Sequence, residues 1–323
     1  MGKLATEELQ KLLSCIKKDP RVIVPPRLGY DSGVHLIGDE YLVVSTDPCI
    51  NVPEKWFGWL LIHYAASDVA LFGAKPEFCT INLLGPLSTK PQVFQAVMAQ
   101  ACSVADELNM AIVTGHTGTY DGLSKLVGTC TAYGTVAKEK LITPGNAKVG
   151  DYVLCTKPVG LEILVNFALT HKPLAQRLFG IEQTEKLAAL VHMQSCVQEA
   201  LQLAETGDIH AMHDATEGGL VAALNEMAEA SKVGFIVEFE KMPISAEVRI
   251  LQESFQLSDE QVLSMSSTGT ILAAVDAQAK DRIEEILRRN GFSARFIGVF
   301  TKGKDRALVK NKREVPFPIV ADD

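Results

Sequence analysis

The sequence lacks a basic excess: 31 Lys and Arg stand against 39 Asp and Glu, which leaves a net charge of −8. Nucleic-acid surfaces need clustered positive charge, so this balance argues against one. No stretch approaches the roughly 18 consecutive apolar residues of a membrane span, which excludes a transmembrane helix. The one basic run is interpreted as a solvated edge, formed by Lys302, Lys304, Arg306, Lys310, Lys312 and Arg313.

Paired cysteines are missing as well. The seven cysteines are scattered singly, and no Cys-x-x-Cys occurs. This pattern argues against a zinc site and a disulfide framework, and it indicates reduced, buried thiols. The N-terminal residues lack the apolar core of a signal peptide, and Glu7 and Glu8 come too early for one. We therefore expect a cytoplasmic protein.

Two common nucleotide-binding motifs are also absent, the P-loop and a G-x-G-x-x-G that follows a strand. The sequence instead mixes strand and helix patterns without strict alternation, which favours an α+β fold. After an amphipathic opening helix, the first half predicts the order β-β-α-β-α-β-β, with a hairpin turn at Gly38-Asp39. A break near Pro144-Gly145 predicts two domains, residues 1–148 and 149–323.

The two long helices of the first half have clear boundary signals. The first is apolar and ends at Gly73, and the second begins at Pro91, which fits the first helical position. The stretches "CTINLLGP" and "LVGTCTAYGTV" are read as strands that are apolar on both faces. Because two helices cover only part of such a sheet, a homodimer built through the N-terminal domain is predicted.

Three acids stand out in the first half of the chain. Asp31 lies in "GYDSGV", Asp47 follows a predicted strand, and Asp68 sits inside an apolar helix. A carboxylate in apolar surroundings needs a partner or a metal ion. Asp68 is therefore either a buried ion-pair or hydrogen-bonded residue or a metal ligand, and Asp47 is either a turn residue or a metal ligand.

Two glycine-containing stretches add to these acids. "TGHTGTYDG" is predicted to be a polar loop between two strands, and "HDATEGGL" opens a helix. The Gly-Gly pair has two explanations: Asp214 or Thr216 caps the helix while the glycines allow close packing, or bare N–H groups hold a phosphate. Together, acids at element ends and glycine-rich backbone are typical of a site for a magnesium-bridged triphosphate.

Taken in order, "TDP", "SDVALFGAKP", "GHTG" and "HDATEGGLVAALNEMA" resemble the AIR synthase related (PurM-like) superfamily. The resemblance spans about residues 28 to 310 and is greatest to the HypE branch, which acts in hydrogenase maturation. It implies a two-domain α+β fold, with an N-terminal mixed sheet that joins its counterpart in a homodimer and a C-terminal α/β sandwich. It also implies ATP-dependent chemistry with Mg²⁺ on a small or carrier-bound substrate.

The resemblance carries over to individual residues. Asp31, Asp47 and Asp68 would hold the magnesium ions of ATP. His116 replaces a metal-binding Asp of the family, so Asp121 is an alternative source of that carboxylate. The remaining ATP-binding residues would be Gly115, Thr117, Thr216, Gly218 and Gly219, and the catalytic ones Asp214, His213 and His116.

The chain departs from the HypE branch at two places. The Asn-Glu-Gly segment that supplies an acid in that branch corresponds here to "SMSSTGT", with Ser266, Ser267 and Thr268. Members of the branch also end in a cysteine that accepts a carbamoyl group. This chain instead ends "VPFPIVADD". Its last cysteine, Cys196, falls within a predicted helix. The sequence therefore predicts a HypE-like paralogue that takes no carbamoyl group there. A thiamine-monophosphate-kinase-like enzyme and a non-catalytic nucleotide-binding scaffold remain alternatives.

Overall fold

In the computed structural model, which describes residue 4 and residues 6–319, the chain divides into two compact units. One unit comprises residues 18–26 and 31–141. The other contains α1 (Thr6–Ser14), residues 27–30 and the chain from Ile142 onward. None of the helices within the described residues is long and apolar enough to cross a membrane.

The N-terminal unit is a six-stranded mixed sheet in the order β1-β2-β3-β6-β4-β5. All its pairings are antiparallel except that of β4 with β5. Two helices accompany the sheet, α2 (Glu54–Leu71) and α3 (Pro91–Leu108). The strands are β1 (Val22–Val24), β2 (Ser32–Ile37), β3 (Glu40–Ile50), β4 (Phe78–Pro86), β5 (Ala111–Tyr120) and β6 (Val127–Val136).

The helix boundaries of this unit confirm the sequence signals. Pro91 is the first residue of α3, where its missing N–H costs nothing, and Gly73 follows the end of α2 with φ +78°. The hairpin turn at Gly38-Asp39 is also confirmed, since β2 ends at Ile37 and β3 begins at Glu40. The short strand β1 was not predicted.

The predicted Gly-Thr loop is wrong. Residues 115–119 belong to β5, an edge strand whose parallel pairing with β4 runs from Phe78–Ala111 to Pro86–Tyr120. Asp47 likewise lies within β3 and not at the exit of the strand. Polar residues suit β5 because an edge strand keeps one side of its backbone open to solvent.

The two faces of this sheet differ in chemistry, which corrects the prediction of strands that are apolar on both faces. The face toward α2 is mostly apolar, with Val43, Ile81 and Leu83 buried on it, and the Cys49 thiol donates to the Phe57 carbonyl of that helix. The opposite face, here called the open face, alternates with it along each strand. It carries polar side chains in register across the sheet, including Thr46, Thr80, Asn82, Thr114, Thr129 and Thr131.

The C-terminal unit is built on a seven-stranded sheet in the order β13-β12-β9-β11-β7-β10-β8, with only β12 and β9 parallel. The strands are β7 (Tyr152–Cys155), β8 (Ile209–Asp214), β9 (Gly234–Glu238), β10 (Ile271–Val275), β11 (Arg295–Thr301), β12 (Arg306–Lys310) and β13 (Arg313–Pro316). The helices are α4 (Leu161–Thr170), α5 (Lys172–Phe179), α6 (Ile181–Ala189), α7 (Val197–Glu205), α8 (Gly219–Ser231), α9 (Ala246–Phe255), α10 (Asp259–Leu263) and α11 (Lys280–Arg289).

The α+β class is thus confirmed for both units. Cys196, predicted to lie inside a helix, instead occupies the N-cap position immediately before α7, with φ −118° and ψ 9°. Near the C-terminus, Phe317 is buried against Phe235, and the Pro318 carbonyl accepts from the Asn225 amide. The final residues of the predicted cysteine-free tail, 320–323, lie outside the described residues.

Candidate active site

In the N-terminal unit, Asp68 is the buried acid at the centre of the predicted metal site. It lies on α2 and is 4% exposed. The Ser45 hydroxyl of β3 lies 2.6 Å from Asp68 Oδ2 and 3.1 Å from the Asp31 carbonyl. Because a carboxylate is the stronger acceptor, we assign the proton of Ser45 to Asp68.

Asp47 joins this group through the periodicity of β3. It is two residues beyond Ser45, so both side chains lie on the face toward α2. Ser45 thus contacts the Asp68 carboxylate and the Asp31 backbone carbonyl, and Asp47 shares its face of the sheet. Within the described part of the N-terminal unit, no three carboxylate, imidazole or thiol ligand atoms lie within 4.8 Å of one another.

This arrangement suits one kind of ion. Mg²⁺ takes hard oxygen ligands, and it is usually held by one or two carboxylates together with phosphate oxygens and water. Carboxylates that leave coordination positions free for phosphate oxygens and water meet that requirement. Protein ligands that fill every coordination position do not. The residues present therefore fit a magnesium ion that arrives with a phosphate ligand.

The residues of "TGHTGTYDG" that lie in β5 alternate between the two faces of the sheet. Gly115 pairs with Ile81 on the face toward α2, and a Cβ there would lie 2.4 Å from the Ile81 carbonyl oxygen. Close strand packing is thus sufficient reason for this glycine. His116 points to the open face, opposite Asp47 and Asp68, so the structure does not bring it to those acids within this unit.

His116 has its own surroundings on the open face. Its Nε2 lies 2.6 Å from the Tyr120 hydroxyl. It also lines a shallow cavity of about 380 Å³ together with Thr80, Asn82, Thr114, Thr129 and Thr131. Asp121 lies in the following turn, where its carboxylate accepts from the Gly122 N–H at 3.0 Å.

In the C-terminal unit, His213 and Asp214 are buried at the end of β8. His213 Nε2 lies 2.8 Å from Glu226 Oε2 on α8, and its Nδ1 lies 3.6 Å from Asp214 Oδ1. The Glu226 contact fixes the orientation of the imidazole ring. His213 is therefore held by a carboxylate of the neighbouring helix α8.

The Gly-Gly pair that opens α8 shows close packing. Gly218 occupies the N-cap position in a left-handed conformation, so neither Asp214 nor Thr216 is the N-cap residue of α8. Gly219 has φ +56°, and a Cβ there would lie 2.5 Å from the Met265 carbonyl oxygen. Only glycine satisfies both conditions. The packing explanation holds for Gly219, and the predicted capping is wrong.

A carboxylate that the sequence reading missed lies in the same unit. Glu162, in the first turn of α4, accepts hydrogen bonds at Oε2 from the hydroxyls of Ser266 and Thr268, the latter at 2.5 Å. These hydroxyls belong to the segment in which the family pattern has an acid and this chain has none. The only sequence signal was an acid that follows "TKPVG" between a strand and a helix.

Comparison with known proteins assigns this chain to a family. Residues 29–136 match the N-terminal domain of AIR synthase related proteins, and residues 148–311 match the C-terminal domain. The chain therefore belongs to the AIR synthase related family and has its two-domain PurM-like fold.

Individual relatives support the same assignment. A protein of Methanocaldococcus jannaschii named for hydrogenase expression and formation is 28% identical over 298 residues, which cover 90% of this chain and 85% of that protein. The fold is similar to that of hydrogenase maturation protein HypE in complex with ATP, with a TM-score of 0.74, 19% identity and coverage of 96% and 90%. It is also similar to thiamine-monophosphate kinase from Stenotrophomonas maltophilia, with a TM-score of 0.71, 20% identity and coverage of 93% and 94%.

Proposed function

We propose that this protein is a Mg²⁺- and ATP-dependent enzyme of the HypE-like branch. In this reaction an oxygen of a small or carrier-bound substrate attacks the phosphate chain of ATP. The observation that carries the proposal is the buried Asp68, which accepts from Ser45 on the face of the sheet that also bears Asp47. The Ser45 hydroxyl also contacts the Asp31 carbonyl. A HypE structure of the same fold is described in complex with ATP, which supports the choice of nucleotide.

In this proposal Asp31, Asp47 and Asp68 hold the magnesium ion, which neutralises phosphate charge when it is bound. Ser45 keeps the Asp68 carboxylate in one orientation, so little reorganisation is needed when the nucleotide arrives. Thr117, which lies in register with Leu83 on the same face of the sheet, is available as a polar contact. In the C-terminal unit, Asp214 and Thr216 serve the substrate, and His213 stays oriented by Glu226.

We further propose a homodimer formed through the N-terminal unit. The edge strand β5 is largely exposed on both of its faces. Phe78, Val113 and Tyr120, on β4 and β5, are 42%, 56% and 45% exposed. Apolar side chains on an unpaired strand edge are a liability that proteins usually cover.

The test of the enzyme proposal separates binding from turnover. Calorimetric titration of the wild-type protein with ATP should give binding with Mg²⁺ and none with excess EDTA. Release of inorganic phosphate should then be measurable under single-turnover conditions with trace labelled ATP.

Two outcomes decide among the alternatives. Tight ATP binding without phosphate release would support the non-catalytic scaffold. Transfer of labelled phosphate to a small-molecule acceptor such as thiamine monophosphate would support the kinase, and the kinase fold similarity makes this acceptor worth testing. Equal ATP affinity with and without Mg²⁺ would contradict the proposal.

A further inference from the structure

The N-terminal unit contains a cavity that the proposed reaction does not use. Its volume is about 530 Å³, which is within the usual range of small-molecule sites. It lies beyond the last residues of β3, β4 and β5, between the β3–α2 connection, the β4–α3 connection and the β5–β6 turn. The strands β4 and β5 are parallel and joined by α3, and open α/β sheets commonly hold ligands at the carboxyl ends of such strands.

The cavity is separate from the candidate magnesium site. Glu54, which lines the cavity, is the first residue of α2, and Asp68 lies fourteen residues further along the same helix. A rise of about 1.5 Å per residue places the two residues about 21 Å apart. Binding in the cavity is therefore measurable without Mg²⁺ or ATP.

The wall formed by α2 is held in place by its packing on α3. Gln100 of α3 accepts from the Gly58 N–H at 2.9 Å and donates to the Glu54 carbonyl at 3.0 Å. A Cβ on Gly58 would lie 2.2 Å from the Val97 carbonyl oxygen, so the two helices cross at very close range. The first turn of α2 is thus fixed before a ligand arrives, which lowers the entropic cost of binding.

The lining of the cavity has an apolar part and a polar part. Phe57 is buried, and Val52, Val93 and Leu126 are half-buried. The polar part consists of three hydroxyls and two ammonium groups, those of Ser88, Thr89, Ser124, Lys90 and Lys125. A ligand that suits both parts has an apolar body and a polar head.

The polar groups of the lining retain donors for such a head. Lys125 Nζ donates to Asn51 Oδ1 at 2.6 Å, which ties the β5–β6 turn to the β3–α2 connection and leaves two of its three N–H groups. Lys90 has no hydrogen-bond or ion-pair partner among the described residues. Two ammonium groups against the carboxylate of Glu54 give the cavity a charge of +1, in a chain whose net charge is −8.

We propose that this cavity binds a phosphate monoester with an apolar group, a function beyond the ATP-dependent reaction proposed above. Lysine binds phosphate as a point charge, and hydroxyls donate to phosphate oxygens. Five donor groups suit the three acceptor oxygens and nearly two charges of a phosphate ester better than the single charge of a carboxylate. Phe57 and Val93 contact the apolar group, which gains free energy as it leaves water.

The probe is phenyl phosphate, titrated into the full chain in the presence of EDTA while the methyl NMR signals of valine and leucine are followed. The signals of Val52, Val93 and Leu126 should shift, and those of Val69 and Leu71, beside Asp68 on α2, should not. Inorganic phosphate lacks the apolar group, and phenylacetate carries one charge. Both should bind at least about tenfold more weakly than phenyl phosphate.

Lys90→Met combined with Lys125→Met tests the phosphate contacts, because methionine keeps much of the side-chain length and removes the charge. This double variant should bind phenyl phosphate at least about tenfold more weakly than wild type. The matched control is Lys140→Met, which removes an exposed lysine of the same unit that does not line the cavity. Its affinity should equal that of wild type. Wild-type affinity should also fall as salt is added, since exposed charges are screened.

Each other outcome overturns the inference. Unchanged affinity in the double lysine variant, or shifts at Val69 and Leu71 in place of those at Val52 and Val93, would remove the site. Equal affinity for phenyl phosphate and inorganic phosphate would remove the apolar contact, and tighter binding of phenylacetate would remove the phosphate. Wild-type protein that binds no phenyl phosphate would overturn the proposal outright. Because no Mg²⁺ or ATP is present, none of these results bears on the function proposed above.

Discussion

Lys157 Nζ lies 2.7 Å from Glu199 Oε1 in the interior of the C-terminal unit, where the two side chains are only 7% and 4% exposed. The same ammonium also donates to two backbone carbonyls, those of Ser195 and Gly269. Burial raises the pKa of Glu199, and the ammonium of Lys157 opposes that shift. The pair therefore joins α7 to the loop that precedes β10.

Removing one member of this pair should be costly. Lys157→Met leaves a buried carboxylate and two carbonyls without their donor, and breaking such a pair typically costs about 3–5 kcal/mol. Urea unfolding should show this loss, and Lys157→Met combined with Glu199→Met should recover part of it. A single variant within 1 kcal/mol of wild type would contradict this account.

Gly219 should be far less tolerant of a methyl group than a glycine in open surroundings. Gly38 has nearly the same φ, +57° against +56°, but nothing lies within 4 Å of an added Cβ. Gly38→Ala should lower the free energy of unfolding by about 1–2 kcal/mol, the penalty for placing an alanine in the left-handed region.

Gly219→Ala should cost clearly more, since its Cβ would also clash with the Met265 and Leu263 carbonyl oxygens. The difference between the two free energies of unfolding measures that backbone contact. Equal costs for the two variants would show that Gly219 is not packed tightly against the Leu263 and Met265 carbonyls.

The reactivity of each cysteine toward a thiol reagent should follow its exposure to solvent. Cys15 and Cys102 are exposed, and the other five thiols are buried. Burial raises the pKa of Cys155 to about 12, so its thiolate is scarce near neutral pH. An aromatic disulfide reagent should label the two exposed thiols rapidly in native protein and all seven after denaturation. Rapid native labelling of Cys155 would contradict this division.

If the dimer forms through the N-terminal unit, a charged side chain on β5 should dissociate it, and one in the C-terminal unit should not. Val113→Glu, on the exposed edge strand β5, should turn the dimer into a monomer by sedimentation at micromolar concentration. Ile181→Glu changes an equally apolar residue that is 65% exposed in the C-terminal unit, and it should leave the dimer intact. A wild-type monomer, or dissociation by Ile181→Glu alone, would contradict an interface in the N-terminal unit.

The sequence predicted the helices of the N-terminal unit well because their boundaries are local. Proline at the start of α3 and glycine after α2 act through their own backbone. It failed at β5, where Gly, Thr and His are typical of loops. The pairing with β4, which that stretch cannot reveal by itself, makes it a strand.

The same limit applies to the candidate site. The acids Asp47 and Asp68 were recognised because each is unusual in its local surroundings. Glu162 was missed because its partners lie 104 and 106 residues away in the chain. His116 was grouped with the acids because the resemblance places a metal-binding Asp at that position and the stretch was predicted to be a loop. In β5, strand alternation puts its side chain on the open face.

The most direct measurement of the central claim is calorimetric titration of Asp68→Asn with ATP and Mg²⁺. An asparagine keeps the size of the side chain and an oxygen that can accept from Ser45, so the fold should be retained, but the charge that balances the ion is lost. Affinity should be at least tenfold weaker than wild type, about 1.4 kcal/mol, and it should be unchanged in Asp106→Asn, an exposed aspartate on α3 of the same unit. Wild-type affinity in folded Asp68→Asn would contradict it.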